Sequence, residues 1–278
     1  MPVQPTRADL DFVIDLARRA GAIARERYGK VERLTKRGGA EAVTEADREC
    51  QRVIVAALAA RHPDDGIIGE ESDSGAGITH LRPRAGDRTW VIDPIDGTNN
   101  FVAGLGNFAV CIGLMDGGQP VLGVVYDVSR DQAFAGGRGL GAWIDDRPVR
   151  ADAAALSDRS LIMMTSNCLD DRGQVPAFLE RWLRDSCWKV RMLGSAALEA
   201  VQVAAGVAAG AVTINGKLWD IAAAAAIALE AGAVLTDLVG KPVFPLDTAR
   251  YAGERVPFLV AGPLAHGVLL DDLRTHGR

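Results

Sequence analysis

The chain has 278 residues, of which 48% are apolar and 24% are charged, and its formal net charge is -5. This length can bury a substantial core, so we expect one large α/β unit or two closely packed subdomains. No apolar run reaches the roughly 18 residues that cross a bilayer, and the charges form no basic stripe for nucleic-acid phosphates. These features exclude a membrane-spanning protein and a binder of polymeric nucleic acid.

Location and redox state follow from two further features. Residues 1–12 lack the basic and apolar regions of a secretory signal, so we expect a cytoplasmic protein. The four cysteines are scattered and form neither a CxxC pair nor a Cys/His zinc pattern. Reduced thiols are therefore expected.

The chain begins with two helical patterns. Apolar residues from Leu10 to Ala24 recur at helical spacing within residues 9–28, and Thr6 is suited to cap this helix. A charged loop with a Gly-Gly pair follows, and a second helical pattern begins after Thr44.

Short β-rich runs, separated by Gly, Pro and Asp, follow and predict a sheet built partly from hairpins. These runs lie at residues 66–71, 88–93, 108–115, 120–127, 131–136 and 141–145. Strand character resumes within residues 155–166, and helical patterns then alternate with short strands. The later helices are expected at 176–184, 195–207 and 220–231, and the later strands at 233–236 and 258–261.

These patterns predict an α/β (α+β) fold. We divide it near residue 150. Residues 1–150 would form an N-terminal α+β subdomain that carries most of the candidate metal ligands. Residues 151–278 would form a C-terminal α/β subdomain that supplies Asp220 and contacts to the substrate.

The most informative stretch is WVIDPIDGTNNF at residues 90–101, where an apolar strand ends in two carboxylates, a glycine and a hydroxyl. Composition leaves two interpretations open, because Asp beside Pro and before Gly is also ordinary turn chemistry. In the functional interpretation, Asp93 and Asp96 supply oxygen ligands to a hard cation such as Mg²⁺. The amides of Gly97 and Thr98 would then point at a phosphate, if a helix or an anion-binding turn begins there.

Other candidate residues also lie beside predicted elements. Glu70 follows an apolar run, Asp220 opens an alanine-rich helical run, and Asp47 belongs to a T-E-A-D segment. Each has a structural interpretation as well: Glu70 could be an ordinary solvated acid on the surface, Asp220 a helix cap and Asp47 part of a capping box. Lys36, in the charged loop, could neutralise a phosphate or metal site, although a loop lysine is usually only solvated.

Together these segments resemble the inositol monophosphatase family, within a wider group of lithium-sensitive, Mg²⁺-dependent phosphatases. The resemblance covers nearly the whole chain and is strongest at residues 90–101. Four further segments occur in the family's order, at residues 43–47, 68–72, 194–197 and 219–220. The resemblance implies a layered α-β-α-β-α sandwich, a homodimer, and Mg²⁺-dependent hydrolysis of a small, inositol-1-phosphate-like phosphate monoester by metal-activated water.

The resemblance also implies two Mg²⁺ ions and a third, weaker one near Glu70. The first would be held by Glu70, Asp93 and the backbone carbonyl of Ile95. The second would lie between Asp93, Asp96 and Asp220. Metal ions in such an arrangement lower the pKa of bound water and neutralise charge on the attacking and leaving oxygens.

Catalytic roles follow from the same resemblance. Thr98 and Asp47 would form a hydrogen-bonded pair that, with Glu70, positions and deprotonates the attacking water. The amides of Gly97 and Thr98 would hold the phosphate, and Lys36 would lie near the third ion.

Contacts to the substrate are implied at Ser195 and Ala196, in the segment that lines the family's ring pocket. One position departs from the pattern, because Thr213 stands where inositol phosphatases carry a Glu that contacts substrate hydroxyls. Asn215 or Lys217 could replace that contact, and the Asn-Gly pair could equally form a tight turn between a strand and a helix.

The substrate is therefore left open between inositol-1-phosphate, histidinol phosphate, fructose-1,6-bisphosphate and a nucleotide phosphate. A haloacid-dehalogenase-type phosphatase would use an aspartate nucleophile in D-x-D spacing, whereas Asp93 and Asp96 have D-x-x-D spacing. A P-loop kinase is disfavoured because the sequence has no Walker A motif. A metal-dependent regulator without turnover is the non-catalytic alternative, and the presence of every implied ligand argues against it.

Overall fold

The computed structural model describes residues 4–30, 34–35, 42–43, 45–72, 78–81, 88–185 and 187–276. The helices in these ranges are α1 (Arg7–Arg27), α2 (Glu45–Arg61), α3 (Thr98–Ala103), α4 (Ala177–Arg184), α5 (Ala196–Ala204), α6 (Leu218–Glu230) and α7 (Pro263–His276). The strands are β1 (Leu34–Thr35), β2 (Ala42–Val43), β3 (Gly66–Gly69), β4 (Thr79–Leu81), β5 (Thr89–Asp96), β6 (Ala109–Asp116), β7 (Gln119–Asp127), β8 (Gln132–Gly137), β9 (Gly141–Ile144), β10 (Arg147–Val149), β11 (Leu161–Met164), β12 (Lys189–Arg191), β13 (Gly210–Thr213), β14 (Val234–Thr236) and β15 (Phe258–Ala261).

The strands form two main sheets and the short β1-β2 ribbon. The larger sheet has the order β10-β9-β8-β7-β6-β5-β3-β4, and the smaller has the order β12-β11-β13-β15-β14. Neighbours in the larger sheet are antiparallel except β3 and β5, which run parallel. In the smaller sheet β12, β11 and β13 are parallel to one another.

Helices cover both sheets. Apolar residues of α1 and α2 pack on one face of the larger sheet, α5 and α6 lie between the two sheets, and α4 and α7 cover the far face of the smaller sheet. This arrangement confirms the mixed α/β class and the predicted α-β-α-β-α sandwich. No helix within the described ranges is long and apolar enough to cross a bilayer.

The N-terminal cap of α1 is also confirmed. The Thr6 hydroxyl accepts a hydrogen bond from the Asp9 amide at 3.2 Å, and the Asp9 carboxylate accepts one from the Thr6 amide at 3.0 Å. Thr44 and Lys36 lie outside the described residues, so the cap of α2 and the position of Lys36 stay predictions. The elements β1, β2, β4, β10, β12 and α7 were not expected from the sequence.

Helix α6 lies very close to the larger sheet. Gly113, Gly123 and Gly136 are register partners on β6, β7 and β8, so they form a glycine row across the sheet. A Cβ atom at Gly123 would collide with the Ala223 carbonyl oxygen, and one at Gly136 would lie 2.9 Å from the Ile227 Cα atom. The backbone of α6 therefore rests on the backbone of the sheet, which larger side chains would prevent.

The two halves of the chain share one apolar layer. The larger sheet uses strands within residues 66–149 and the smaller sheet uses strands within residues 161–261. Because α5 and α6 also pack on the larger sheet, the layer between the sheets contains residues from both halves. The division into subdomains near residue 150 stays a prediction.

Candidate active site

The site begins at the carboxyl end of β5, which carries Asp93 and Asp96. Residues three apart in a regular strand point to opposite faces of the sheet. The register of β5 on β6 shifts between Asp93 and Asp96, which is a β-bulge at Pro94 and Ile95. The bulge allows both carboxylates to reach one place, and Pro94, which has no N–H to donate, falls where the ladder is interrupted.

Glu70 reaches the same place through the register of β3. The last parallel pair of β3 and β5 joins Gly69 to Ile92, and the Glu70 amide donates to the Ile92 carbonyl oxygen at 3.1 Å. Glu70 therefore comes directly beside Asp93. The charge of Glu70 is close enough to raise the pKa of Asp93.

Asp220 comes from the C-terminal half of the chain. It is in the first turn of α6, and its Oδ2 accepts a hydrogen bond from the Lys217 amide at 2.7 Å. The capping interpretation therefore holds. Asp220 also belongs to an acidic cluster, since Asp93, Asp96 and Asp220 each place a carboxylate oxygen within 4.8 Å of the others.

The cluster is electrostatically unfavourable as it stands. Burial, followed by the charges of Glu70, Asp96 and Asp220, raises the pKa of Asp93 well above its usual range. Burial raises the pKa of Asp96 to about 6, although hydrogen bonds to its anion oppose the shift. Burial and the charge of Asp96 raise the pKa of Asp220 well above its usual range. A bound cation would reverse these shifts, because it favours the charged form of each carboxylate.

The donor set fits Mg²⁺. Carboxylate oxygens are the ligands that hard cations take, and the carbonyl-bearing Ile95 lines the same cleft. The described residues that line this cleft include no His or Cys, the ligands that favour zinc. Among them the one cationic side chain is Lys217, whose ammonium group donates to the Gly253 carbonyl oxygen. Among the described residues, no cationic side chain forms an ion pair with Asp93, Asp96 or Asp220.

Asp96 is held in place by the start of α5. The Ser195 hydroxyl donates to its Oδ2 at 2.5 Å, the Ala197 amide donates to the same oxygen at 2.8 Å, and the Ala196 amide donates to Oδ1 at 3.3 Å. Ser195 is 1% exposed and does not line the cleft. The Ser195 hydroxyl therefore orients Asp96, and the expected contact of Ser195 with the substrate stays a prediction.

Thr98 lies at the beginning of α3, beside the cluster. Its hydroxyl is 2.9 Å from the Ile95 carbonyl oxygen and 3.4 Å from Oδ1 of Asp47, which is fully buried. The structure thus brings the expected Thr98 and Asp47 pair together, at a long hydrogen-bond distance. Gly97, at φ +93°, forms the turn into α3 and also lines the cleft.

The acidic cluster forms the floor of an open cleft of about 180 Å³. A second set of residues forms what we call the cleft wall: Thr165, Ser166, Asn167, Thr213, Asn215 and Lys217. Asn215 donates to the carbonyl oxygens of Asn167 at 3.0 Å and Leu169 at 2.9 Å, which orients its amide group. None of the described wall residues carries a carboxylate. Thr213 is the wall residue that stands where the family resemblance implies a Glu.

Ala196 also lines the cleft, and its contact with the substrate stays a prediction. Sequence reasoning missed Thr165, whose buried hydroxyl has no hydrogen-bond partner among the described residues. It also missed Glu199, although an acid within the apolar run of α5 was a signal that could have identified it.

Comparison with solved structures identifies the class of protein to which this fold belongs. An IMPase from Thermotoga maritima superimposes with a TM-score of 0.80 at 32% identity, covering 96% of each chain. This likeness, together with the acidic floor, defines the class as phosphoric monoester hydrolases.

Sequence comparisons identify the family. The model of the inositol monophosphatase family matches residues 7–276. A fructose-1,6-bisphosphatase/inositol-1-monophosphatase of Thermotoga maritima is 38% identical over 84% of this chain and 86% of its own length. Inositol monophosphatase 1 of Solanum lycopersicum is 34% identical over 87% of this chain and 89% of its own length. The chain belongs to the inositol monophosphatase family, which is metal-dependent.

Proposed function

We propose that this chain is a Mg²⁺-dependent phosphatase that hydrolyses the phosphate ester of a small polyol, with an inositol-1-phosphate-like substrate. The observation that carries this proposal is the acidic floor beneath a polar, carboxylate-free wall. The floor suits a divalent cation, and the wall suits hydroxyl groups and tolerates a further negative charge on the substrate.

Glu70, Asp93 and the Ile95 carbonyl would hold one ion, and Asp93, Asp96 and Asp220 a second, with a third near Glu70. When bound, such ions lower the pKa of a coordinated water and offset charge on the phosphoryl group. The amides of Gly97 and Thr98 would hold the phosphate.

Proton transfer would use residues on one edge of the floor. The Thr98 hydroxyl can donate to Asp47 or to the Ile95 carbonyl, which leaves its lone pairs free to accept from the attacking water. Glu70, on the adjacent loop, would accept the water's proton. Lys36 is assigned to the third ion only by the family resemblance.

The neutral groups of the wall are compatible with more than one small phosphate ester. Thr213 and Asn215 offer neutral groups to substrate hydroxyls, and Ala196 lines the same space. Fructose-1,6-bisphosphate belongs in the same proposal, since one similar protein carries both activities in its name. Family membership also leads us to propose lithium inhibition, a homodimer and a cytoplasmic location.

The test measures phosphate release from inositol, fructose, histidinol and nucleotide phosphates with Mg²⁺, without it, and with Mg²⁺ and lithium. Hydrolysis of a polyol phosphate only when Mg²⁺ is present is the expected result. An Asp96→Asn variant, folded by circular dichroism, should lose this activity. Release that continues in EDTA would refute the metal assignment, and no release from any ester would favour a non-catalytic regulator.

A further inference from the structure

Residues 193–195 belong to the loop that joins β12 to α5, and they contact the acidic floor. Ser195 donates to Asp96, and Gly194, at φ +82°, lines the cleft. A Cβ atom placed on Gly97 would lie 3.1 Å from the Gly194 carbonyl oxygen, so the two backbones are already in close approach. A shift of this segment would therefore move Ser195 relative to Asp96.

Glu199 holds one side of the segment. Its Oε1 accepts hydrogen bonds from the amides of Leu193 at 2.6 Å and Gly194 at 3.0 Å. The side chain is 1% exposed, and its Oε2 has no hydrogen-bond partner among the described residues. Burying a carboxyl group without a cation is costly, and the two amide bonds are the compensation that the structure shows.

Two asparagines hold the opposite side. The side-chain amides of Asn100 and Asn107 both donate to the Leu193 carbonyl oxygen, at 2.7 and 2.9 Å. Asn100 also donates to the Asn107 carbonyl oxygen at 2.8 Å, and it belongs to α3, which begins at Thr98. The backbone of Leu193 is therefore bonded on both its amide and its carbonyl side.

We propose that Glu199 is a positioning residue for Asp96. By holding the amides of Leu193 and Gly194 it fixes residues 193–195, and the following turn then holds Asp96 in the orientation that binds metal. Glu199 does not line the cleft, so it acts through this backbone. The inference rests on the proposed function in one respect, namely that the floor binds Mg²⁺.

Three variants test the proposal. Glu199→Leu removes the acceptor and keeps a side chain of similar size, whereas Glu199→Gln keeps an oxygen that can accept from both amides. Val203→Ala is the matched control, because Val203 is fully buried one turn further along α5 and its loss destabilises the core without removing the acceptor.

Two measurements distinguish positioning from a merely structural role. The first is the Mg²⁺ dissociation constant, determined by calorimetry without substrate. The second is hydrogen exchange at the amides of Ala196 and Ala197, which donate to Asp96. Loss of a direct outer partner of a metal ligand costs roughly 10- to 100-fold in affinity. Glu199 acts one step further away, so we expect about a tenfold weaker Mg²⁺ affinity and faster exchange in Glu199→Leu.

Glu199→Gln should bind Mg²⁺ and exchange like the unmodified protein, and Val203→Ala should lose only thermal stability. Unchanged exchange and affinity in Glu199→Leu would overturn the proposal, as would an equal loss of affinity in Val203→Ala. If Glu199→Leu does not fold, Asn100→Ala applies the same two measurements from the other side of the segment. Failure of the unmodified protein to bind Mg²⁺ would refute the proposed function, whereas the exchange measurement would still decide the positioning role.

Discussion

The floor and the wall of the cleft are built in different ways. The floor carboxylates come from the bulged strand β5, from the end of β3 and from the start of α6. Asp96 accepts three hydrogen bonds from residues 195–197 at the start of α5. The wall residues lie largely in loops, and the Thr165 hydroxyl has no partner among the described residues. The difference indicates that the two sheets and α6 fix the positions of the floor carboxylates. Substrate choice depends on the wall residues, most of which lie in loops and can change without disturbing the fold.

The largest predicted effect comes from removing a floor carboxylate. Asp220→Asn should lower kcat/KM by at least about 100-fold, because even outer partners of metal ligands cost up to that much. The helix start should persist, since an Asn side chain can still accept from the Lys217 amide.

Phosphate release, Mg²⁺ calorimetry and circular dichroism would check this outcome. Asp237→Asn is the matched control, because Asp237 accepts from the amides of Val239 and Lys241 in an exposed turn away from the cleft. Near-normal activity in Asp220→Asn would contradict the assignment of Asp220 as a metal ligand.

The next effect is expected where α6 meets the glycine row. Gly123→Ala should destabilise the protein by about 1 to 3 kcal/mol, because the new Cβ would collide with the Ala223 carbonyl oxygen. It should also reduce activity, since α6 carries Asp220.

Thermal unfolding and phosphate release would be measured on this variant and on Gly267→Ala. Gly267 lies in α7 with no atom within 4 Å of an added Cβ, so the same substitution there should be neutral or stabilising. Equal effects of the two substitutions would argue against backbone contact between α6 and the sheet.

A smaller effect is predicted on the wall. Asn215→Ala removes the donors to the Asn167 and Leu169 carbonyl oxygens, and each such hydrogen bond contributes about 0.5 to 1.5 kcal/mol. We expect KM to rise by up to about tenfold while the Mg²⁺ concentration for half-maximal activity stays the same. Steady-state kinetics over substrate and Mg²⁺ would separate the two, and a parallel rise in both values would mean that wall and floor are not independent.

The last prediction concerns the pH dependence of stability in the metal-free protein. Burial raises the pKa of Glu199 from its ordinary 4.5 to about 8, so the folded state binds a proton that the unfolded state has lost between these values. Stability from this group is fully present below pH 4.5 and is lost as pH rises towards 8, at a slope of no more than about 1.4 kcal/mol per pH unit.

Melting temperatures in EDTA between pH 5.5 and 8.5 should therefore fall, by roughly a few degrees. Glu199→Gln cannot titrate and should show a flatter profile over the same range. Identical slopes in the two proteins would show that Glu199 is not protonated in the folded state.

Local chemistry accounts for the parts of the fold that could be predicted. The cap at Thr6 and the helical spacing of α1 depend on residues within a few positions of each other. The strands β4, β10 and β12 have three residues each, which is too short for a recognisable pattern of strand residues. They form because a neighbouring strand pairs with them. Helix α7 did have a signal in Pro263 at its first position, which sequence reasoning did not use.

The site shows a similar limit. The motif at residues 90–101 supplied two acids and left open an ordinary turn, a helix start or an anion-binding turn. Only the register shift explains how Asp93 and Asp96 come together. Asp220 had two competing interpretations that the structure shows to be compatible. Glu199 was missed because its partners are backbone amides, whose position depends on where α5 begins.

The glycine row has a consequence for how sequence change can reach the catalytic floor. Where the backbones of α6 and the sheet meet, few side chains can change rotamer to absorb a substitution. We therefore expect a methyl group added to either surface to displace α6, and Asp220 with it. The alanine run at residues 222–226 contains no functional group, but its small side chains set the distance between α6 and the sheet. This distance in turn sets the position of Asp220 relative to Asp93 and Asp96. Divergence of this protein should accordingly be tolerated on the wall long before it is tolerated among these small residues.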